Sequence, residues 1–205
     1  CSSLISINVE SGNRKYSTID GVLYSNDKTE LICCPAGKTG ECAISSIVTR
    51  VVYGFYDCKY LTGINVASNN TKYSSVDGLL YNKNKTELIC CPAGRIEEFT
   101  IPDSVTSIYT EAFCGCTNLT SLVLHDNVTH IYPRAFSGCS NLASITIPKS
   151  VTRIEVYAFQ YCANLTDITF QGTMAEWEAI TKGDYWDSNT GDYTIHCTDG
   201  DIVKA

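Results

Sequence analysis

Twelve cysteines and three histidines are the side chains of this 205-residue chain best suited to covalent or metal chemistry. A catalytic thiol needs a histidine beside it that a third group orients, and a zinc thiolate pair needs C-x-x-C spacing. Neither pattern is present. Cys33-Cys34 and Cys90-Cys91 are adjacent on β-prone runs, so each pair sends one sulfur inward and one outward; stacked ligands or cross-coil disulfides are the chemistry open to them. His125 follows a β-prone run, His130 lies in a V-T-x-I segment and His196 lies near the C-terminus, none of them recurring beside a cysteine expected to be exposed. Asp187-Ser-Asn-Thr-Gly-Asp192 opens like a calcium loop, but its Gly falls at position five and no Glu follows at position twelve, so a polar turn is expected. No catalytic residue, metal or cofactor is therefore expected, and Cys114 and Cys197 are unassigned.

The cysteines make more sense as a spacing. Cys116, Cys139 and Cys162 are 23 residues apart, and so are Phe113, Phe136 and Phe159, and Leu119, Leu142 and Leu165. A fixed period of this length marks stacked units, none of which can bury its apolar side alone. Each unit reads A-F-x-x-C-x-N-L-x-x-I-x-I-x-x-x-V-x-x-I, with a final step of two that belongs to a strand. Upstream, residues 4–37 match 61–94 at 23 of 34 positions. Following the strand core through Leu4, Thr39, Leu61, Ile96, Leu119, Leu142 and Leu165 gives intervals of 35, 22, 35, 23, 23 and 23. The two long coils are thus standard coils enlarged at D-G-V-L-Y and D-G-L-L-Y, where a β-hairpin is expected (Val22–Tyr24 with Thr29–Ile32, and Leu79–Tyr81 with Thr86–Ile89). Cys-Pro-Ala-Gly closes each excursion, with Pro35 and Pro92 unable to donate to a ladder and Gly37 and Gly94 permitting a reversal.

These elements predict a mostly β solenoid of the α/β type, with a parallel sheet of about seven strands, short helical turns, hairpin insertions and a helix-plus-strand cap. Thr173 and Glu176 have capping-box spacing, which predicts a helix over 174–181 with Met174, Trp177 and Ile180 on one face, then a strand at Tyr193–Cys197. The organisation is one solenoid over 1–205: long repeats at 1–57 and 58–115, regular repeats at 116–173 and a cap at 174–205. Cys1 to Ile7 superposes on Cys116 to Leu122, so the expectation is either a fragment of a longer solenoid or an uncapped first coil able to self-associate end to end. Cys1, Cys58, Cys116, Cys139 and Cys162 share one position with Ala36 and Ala93, so small, buried, free thiols are expected there, and Cys42 matches the inward Phe99.

The units at Ala135–Ile154, the D-G-V-L-Y hairpin and the closing G-T-M-A-E-W-E-A-I resemble the BspA-like leucine-rich repeats of bacterial surface proteins over essentially the whole chain. The resemblance implies a right-handed leucine-rich-repeat solenoid, an extracellular or cell-surface location, and adhesion to host or bacterial surface proteins.

Composition bears on partners. Fifteen basic against 22 acidic residues leave a net charge of −7, with no basic footprint for nucleic acid; neither a signal peptide nor membrane insertion is expected, since no charged and apolar leader pattern and no apolar run of about eighteen residues occurs in the sequence. The outward strand residues form a strip without Lys, Arg or aromatic side chains: Ser6 and Asn8, Glu41 and Ala43, Gly63 and Asn65, Glu98 and Thr100, Ser121 and Val123, Ser144 and Thr146, Asp167 and Thr169. From it, Asn8, Glu41, Asn65, Glu98, Thr100, Ser121, Val123, Ser144, Thr146, Asp167 and Thr169 are the candidate binding residues. A flat, weakly acidic strip suits a polypeptide, preferably a basic one, better than a small molecule. Tyr16, Tyr24, Tyr73 and Tyr81 are alternative aromatic anchors, with core packing under the hairpins competing for them. The functional expectation is a non-enzymatic adhesion module, and its rival is a structural spacer.

Overall fold

The computed structural model describes residues 3–52, 54–96 and 99–204. In chain order the strands are β1 (Tyr16–Ile19), β2 (Val22–Ser25), β3 (Glu30–Cys33), β4 (Gly40–Ile44), β5 (Arg50–Val51), β6 (Leu61–Val66), β7 (Tyr73–Val76), β8 (Leu79–Asn82), β9 (Glu87–Cys90), β10 (Ser107–Ile108), β11 (Ser121–Val123), β12 (His130–Ile131), β13 (Ser144–Ile147), β14 (Arg153–Ile154) and β15 (Asp167–Phe170). Helix α1 (Met174–Ala179) and strands β16 (Thr181–Lys182), β17 (Thr194–Cys197) and β18 (Gly200–Val203) follow.

Each regular turn contributes two strands, one from L-x-x-I-x-I and one from V-T-x-I, and each stacks in register on its counterpart 23 residues on. Ser121 faces Ser144, which faces Asp167; Ile108 faces Ile131, which faces Ile154. A slip of one residue would turn every core side chain outward, so the period enforces the register. Between the ladders, Phe113, Phe136 and Phe159 stack at 5.0 Å per step with rings within 12° of parallel, and all three are fully buried. Each such ring contributes about 1.5–3 kcal/mol by leaving water.

Among the described residues, the expected sheet of about seven L-x-x-I-x-I strands forms two ladders: β4–β6, and β11–β13–β15–β17 with β18 antiparallel at its edge. The enlargements cause the break. The Ile64 N–H donates to Gly78 O at 2.8 Å, so the reversing turn of the second insertion occupies the edge of β6 where another coil would pair, and Ile7 N–H meets Gly21 O in the same way. The seven-stranded sheet lies on the V-T-x-I side, in the order β16–β14–β12–β10–β9–β8–β7. Leu4, placed in the interior column from the sequence, lies on the outermost described coil and is 41% exposed, while Leu61, Leu142 and Leu165 are fully buried.

Each enlargement is a three-stranded meander rather than a hairpin. Asp20-Gly21 and Asp77-Gly78 both have positive φ at the two central positions (49° and 76°, 49° and 72°), the conformation of a two-residue hairpin turn, and this pairs β1 with β2 and β7 with β8. The third strand of each meander enters the V-T-x-I column: Leu88 faces Ile108 and Leu31 faces Val51. Gly37 and Gly94 serve by close approach and not by a reversed φ, since a Cβ on Gly94 would lie 2.7 Å from the Tyr60 carbonyl carbon. Buried Asn70 ties the second meander to the coil before it, donating to Ser45 O and Val48 O and accepting from the N–H groups of Lys72 and Tyr73.

At the C-terminal end the capping box forms, with Thr173 N–H on Glu176 Oε2 at 2.7 Å and Glu176 N–H on Thr173 Oγ1 at 3.2 Å. Trp177 and Ile180 are buried, whereas Met174, in the first turn of the helix, is 37% exposed. The helix is inserted into a coil that then continues, because β16 pairs with β14 and β17 with β15. Trp177, Trp186 and Tyr193 form an edge-to-face chain of rings that covers Phe159, the last ring of the stack. Asp187 fixes this cover by accepting from the Tyr193 hydroxyl at 2.7 Å.

Candidate interaction surfaces

The cysteine column is built into the backbone. Thiols of Cys58, Cys116, Cys139 and Cys162 donate to the carbonyls of Cys34 (3.4 Å), Cys91 (3.6 Å), Phe113 (3.0 Å) and Phe136 (3.1 Å), each on the preceding turn. All four are buried; Cys1 lies outside the described residues, and Ala36 and Ala93 are half-buried. Contact with the Cys91 thiol and burial push the Cys116 thiol far up, and burial does the same for Cys139. A thiol held protonated is a poor nucleophile. Cys42 is buried in contact with Cys34, and in the adjacent pairs Cys34 and Cys91 face the core while Cys33 and Cys90 are half-buried. The histidine rings meet oxygen: His125 contacts Pro102 O at 2.9 Å, His130 contacts Glu155 at 3.2 Å, and His196 bridges Asp201 and Asp167 at 3.0 and 3.1 Å.

The strip divides where the sheet divides. Glu41 and Asn65 sit on β4 and β6, joined by an Asn65 Nδ2 to Glu41 Oε2 bond of 2.6 Å, while Asn8 is exposed on the coil before them. Ser121, Ser144 and Asp167 form one row across β11, β13 and β15, and Val123, Thr146 and Thr169 form the next. Thr100 is exposed between the two patches, and Glu98 lies outside the described residues. β17 adds Thr194 and His196 to the rows. Hydrogen bonds to Asp167 and then Asp201 raise the His196 pKa above its ordinary value; Thr166 and then His196 hold Asp167 below its own.

The tyrosine anchors read from the long coils are mostly core. Tyr24 and Tyr81 are 2% and 0% exposed, and the Tyr73 hydroxyl is half-buried, accepting from Val51 N–H at 3.0 Å; Tyr16 alone of the four is exposed.

A different aromatic surface runs along the flank, on the turns that follow the V-T-x-I strands. Glu111, Arg134, Tyr157 and Tyr185 all have left-handed backbone, with φ between 56° and 60°, which is uncommon for side-chain-bearing residues. Here it recurs at one position of successive turns and directs the four side chains into one column. Arg134 lies 4.0 Å from the Glu111 carboxylate and 5.4 Å from the centre of the Tyr157 ring, which stacks on Tyr185 at 5.8 Å and 12°. A second row beside it stacks Tyr132 on His130 at 4.2 Å and sets it against Tyr109, tilted by 41°, at 5.5 Å. Tyr109 and Tyr185, the end members, are 42% and 67% exposed. One signal for this surface stands in the sequence, the residue directly before each A-F pair, at Glu111, Arg134 and Tyr157.

At the N-terminal end of this surface a crevice of about 120 Å³ opens between the turn carrying Phe55, Tyr56 and Asp57 and the turn carrying Tyr109 and Glu111. Cys34 N–H bonds Gly54 O on one side and Cys91 N–H bonds Ala112 O on the other, so the turn ladder is regular on both sides of it. Cys90 and Cys114 line the crevice as well. Burial, then Glu111 and Asp57, push the Cys114 thiol up to about 11, against the opposing effect of Arg134.

Residues 84–181 match the BspA type leucine rich repeat region in six copies. Among solved structures, the pneumococcal vaccine antigen PcpA superposes with a TM-score of 0.66 at 21% identity, over 82% of this chain and 40% of that one. A leucine rich cell surface protein from Faecalibacterium prausnitzii gives 0.42 at 24% identity (73% of this chain, 62% of that one), and a leucine-rich repeat protein from Eubacterium ventriosum gives 0.42 at 22% (78% and 64%). The chain therefore spans less than half of the pneumococcal antigen and less than two thirds of the other two. A search of curated proteins finds no match. No described helix is long and apolar enough to cross a membrane. With its turns stacked in register, the chain carries over residues 84–181 a region of BspA type leucine-rich repeats.

Proposed function

We propose that this chain is a non-enzymatic protein-binding module of a bacterial cell-surface protein, and that it engages a host or bacterial surface protein through the flank. The observation that carries this reading is the Glu111–Arg134–Tyr157–Tyr185 column, a stacked row in which Arg134 and Tyr185 are exposed and Glu111 and Tyr157 half-buried. Tyr and Arg are enriched among the residues that dominate protein interfaces, and a stack already ordered in the free chain loses little side-chain entropy on binding. The strip supports such a role less well, being interrupted by the meanders and carrying short side chains. The match of residues 84–181 to BspA type repeats and the likeness in fold to a pneumococcal vaccine antigen support the surface location. The net charge of −7 favours polypeptide over nucleic acid.

The test is binding of the chain to an array of immobilised host-matrix and bacterial surface proteins, repeated with Arg134→Ala/Tyr185→Ala and, separately, Thr146→Lys on the strip. Loss of about tenfold or more in affinity for the flank variant alone supports the reading. Binding to no member of the array by wild type would favour the spacer, and loss confined to the strip variant would move the site there.

A further inference from the structure

We propose that the crevice between Tyr56 and Tyr109 is a receptor slot for one lysine or arginine side chain of the protein partner; the proposal rests on the protein-binding reading and names what the flank recognises. Its walls are aromatic and its mouth is acidic. Tyr109 has one face against Tyr132 and is 42% exposed, and Tyr56 across from it is 58% exposed. A cation between aromatic rings is attracted by their electron-rich faces. Asp57 and Glu111 stand on the two sides, and both keep accepting capacity. Asp57 meets exposed Lys59 at 3.4 Å, and Glu111 meets Arg134 only at 4.0 Å, with Arg134 also lying over Tyr157. An ionised carboxylate offers about four lone-pair sites, so one long contact leaves room for a second donor.

The floor suits an aliphatic stem. Ile89, Val52 and the uncharged thiols of Cys90 and Cys114 line it, and the methylene groups of Lys or Arg pack on such surfaces while the head stays with its carboxylates. Size argues the same way, because about 120 Å³ is well below the roughly 300–1,000 Å³ of small-molecule pockets and admits a single side chain. A slot of this kind would fix the register of a partner whose remaining contacts run along Arg134, Tyr157 and Tyr185.

The experiment is an NMR titration of the full chain with N-acetyl-arginine methylamide and with its neutral isostere N-acetyl-citrulline methylamide. The expected result is saturable shifts at the amides of Asp57, Tyr109, Glu111 and Cys114 with the arginine compound, binding at least tenfold weaker with citrulline, and at least tenfold weakening in Asp57→Asn/Glu111→Gln. Glu178→Gln, remote on α1, should change nothing. Since the double variant could disturb the turns, slowing of maleimide labelling at Cys114 of the wild type by the arginine compound alone is a second expected result. Absence of saturable shifts at the crevice, equal binding of citrulline, or unaltered binding by a folded double variant would overturn the slot. The array result with Arg134→Ala/Tyr185→Ala is independent of this outcome, so failure of the slot and failure of the flank as a protein-binding surface are separately readable.

Discussion

Cys162 donates its thiol proton to the Phe136 carbonyl across one full turn, 3.1 Å away, and Cys139 does the same to Phe113 at 3.0 Å. The column is therefore a hydrogen-bonding feature of the stack as well as a small apolar one. Cys139→Ala should lower stability by about 1–3 kcal/mol through the lost bond and the space left behind, measured by urea unfolding. A change near zero would mean that the thiol only fills volume.

Phe136 has a ring on each face, at 5.0 Å from Phe113 and from Phe159. Phe136→Ala should cost about 3–5 kcal/mol, the range for emptying a buried aromatic site, and more than truncation of exposed Tyr185. Equal effects in thermal unfolding would contradict the packing described.

Thiol accessibility should follow the same geometry. Cys139 and Cys162 should resist maleimide until the chain unfolds. Cys114, half-buried at the crevice with its pKa pushed up to about 11, should label slowly at neutral pH and about tenfold faster for each unit by which pH rises toward that value. Fast labelling of Cys139 in the native state would contradict the column.

The meanders show how much could be read in advance. The period of 23 fixes which residues face inward in the regular coils, because Phe113, Cys116 and Leu119 and their counterparts recur together. D-G is the turn of the first hairpin, and K-T-E-L occupies the V-T-x-I column, as Leu88 opposite Ile108 shows. That a reversing turn would take the edge of β6 and divide the strip depends on the bond from Ile64 to Gly78, which no local pattern announces. The flank column escaped for another reason. Glu, Arg and Tyr share no side-chain chemistry, and only the common left-handed backbone of Glu111, Arg134 and Tyr157 aligns them.

His196 lies between Asp167 and Asp201 and joins β18 to the sheet. Its folded pKa is raised, so its contribution is complete below the unfolded value near 6.5 and fades as pH rises through the folded one. The folded pKa of Asp167 is lowered, so its contribution is present above about 3.9 and fades as pH falls through the folded value. Protection of β18 amides from hydrogen exchange, corrected for intrinsic rates, should be greatest between about pH 4 and 6.5, and Asp201→Asn should lower the His196 midpoint in an NMR titration. A His196 midpoint unaltered by that substitution would remove the bridge.

The flank as the partner-facing surface is tested most directly by hydroxyl-radical footprinting of the chain bound to whichever array protein captures it. Protection concentrated at Tyr109, Tyr132, Tyr157 and Tyr185 is the result foreseen. Protection confined to Val123 and its neighbours on the sheet face, with those four tyrosines oxidised as in the free chain, would contradict it.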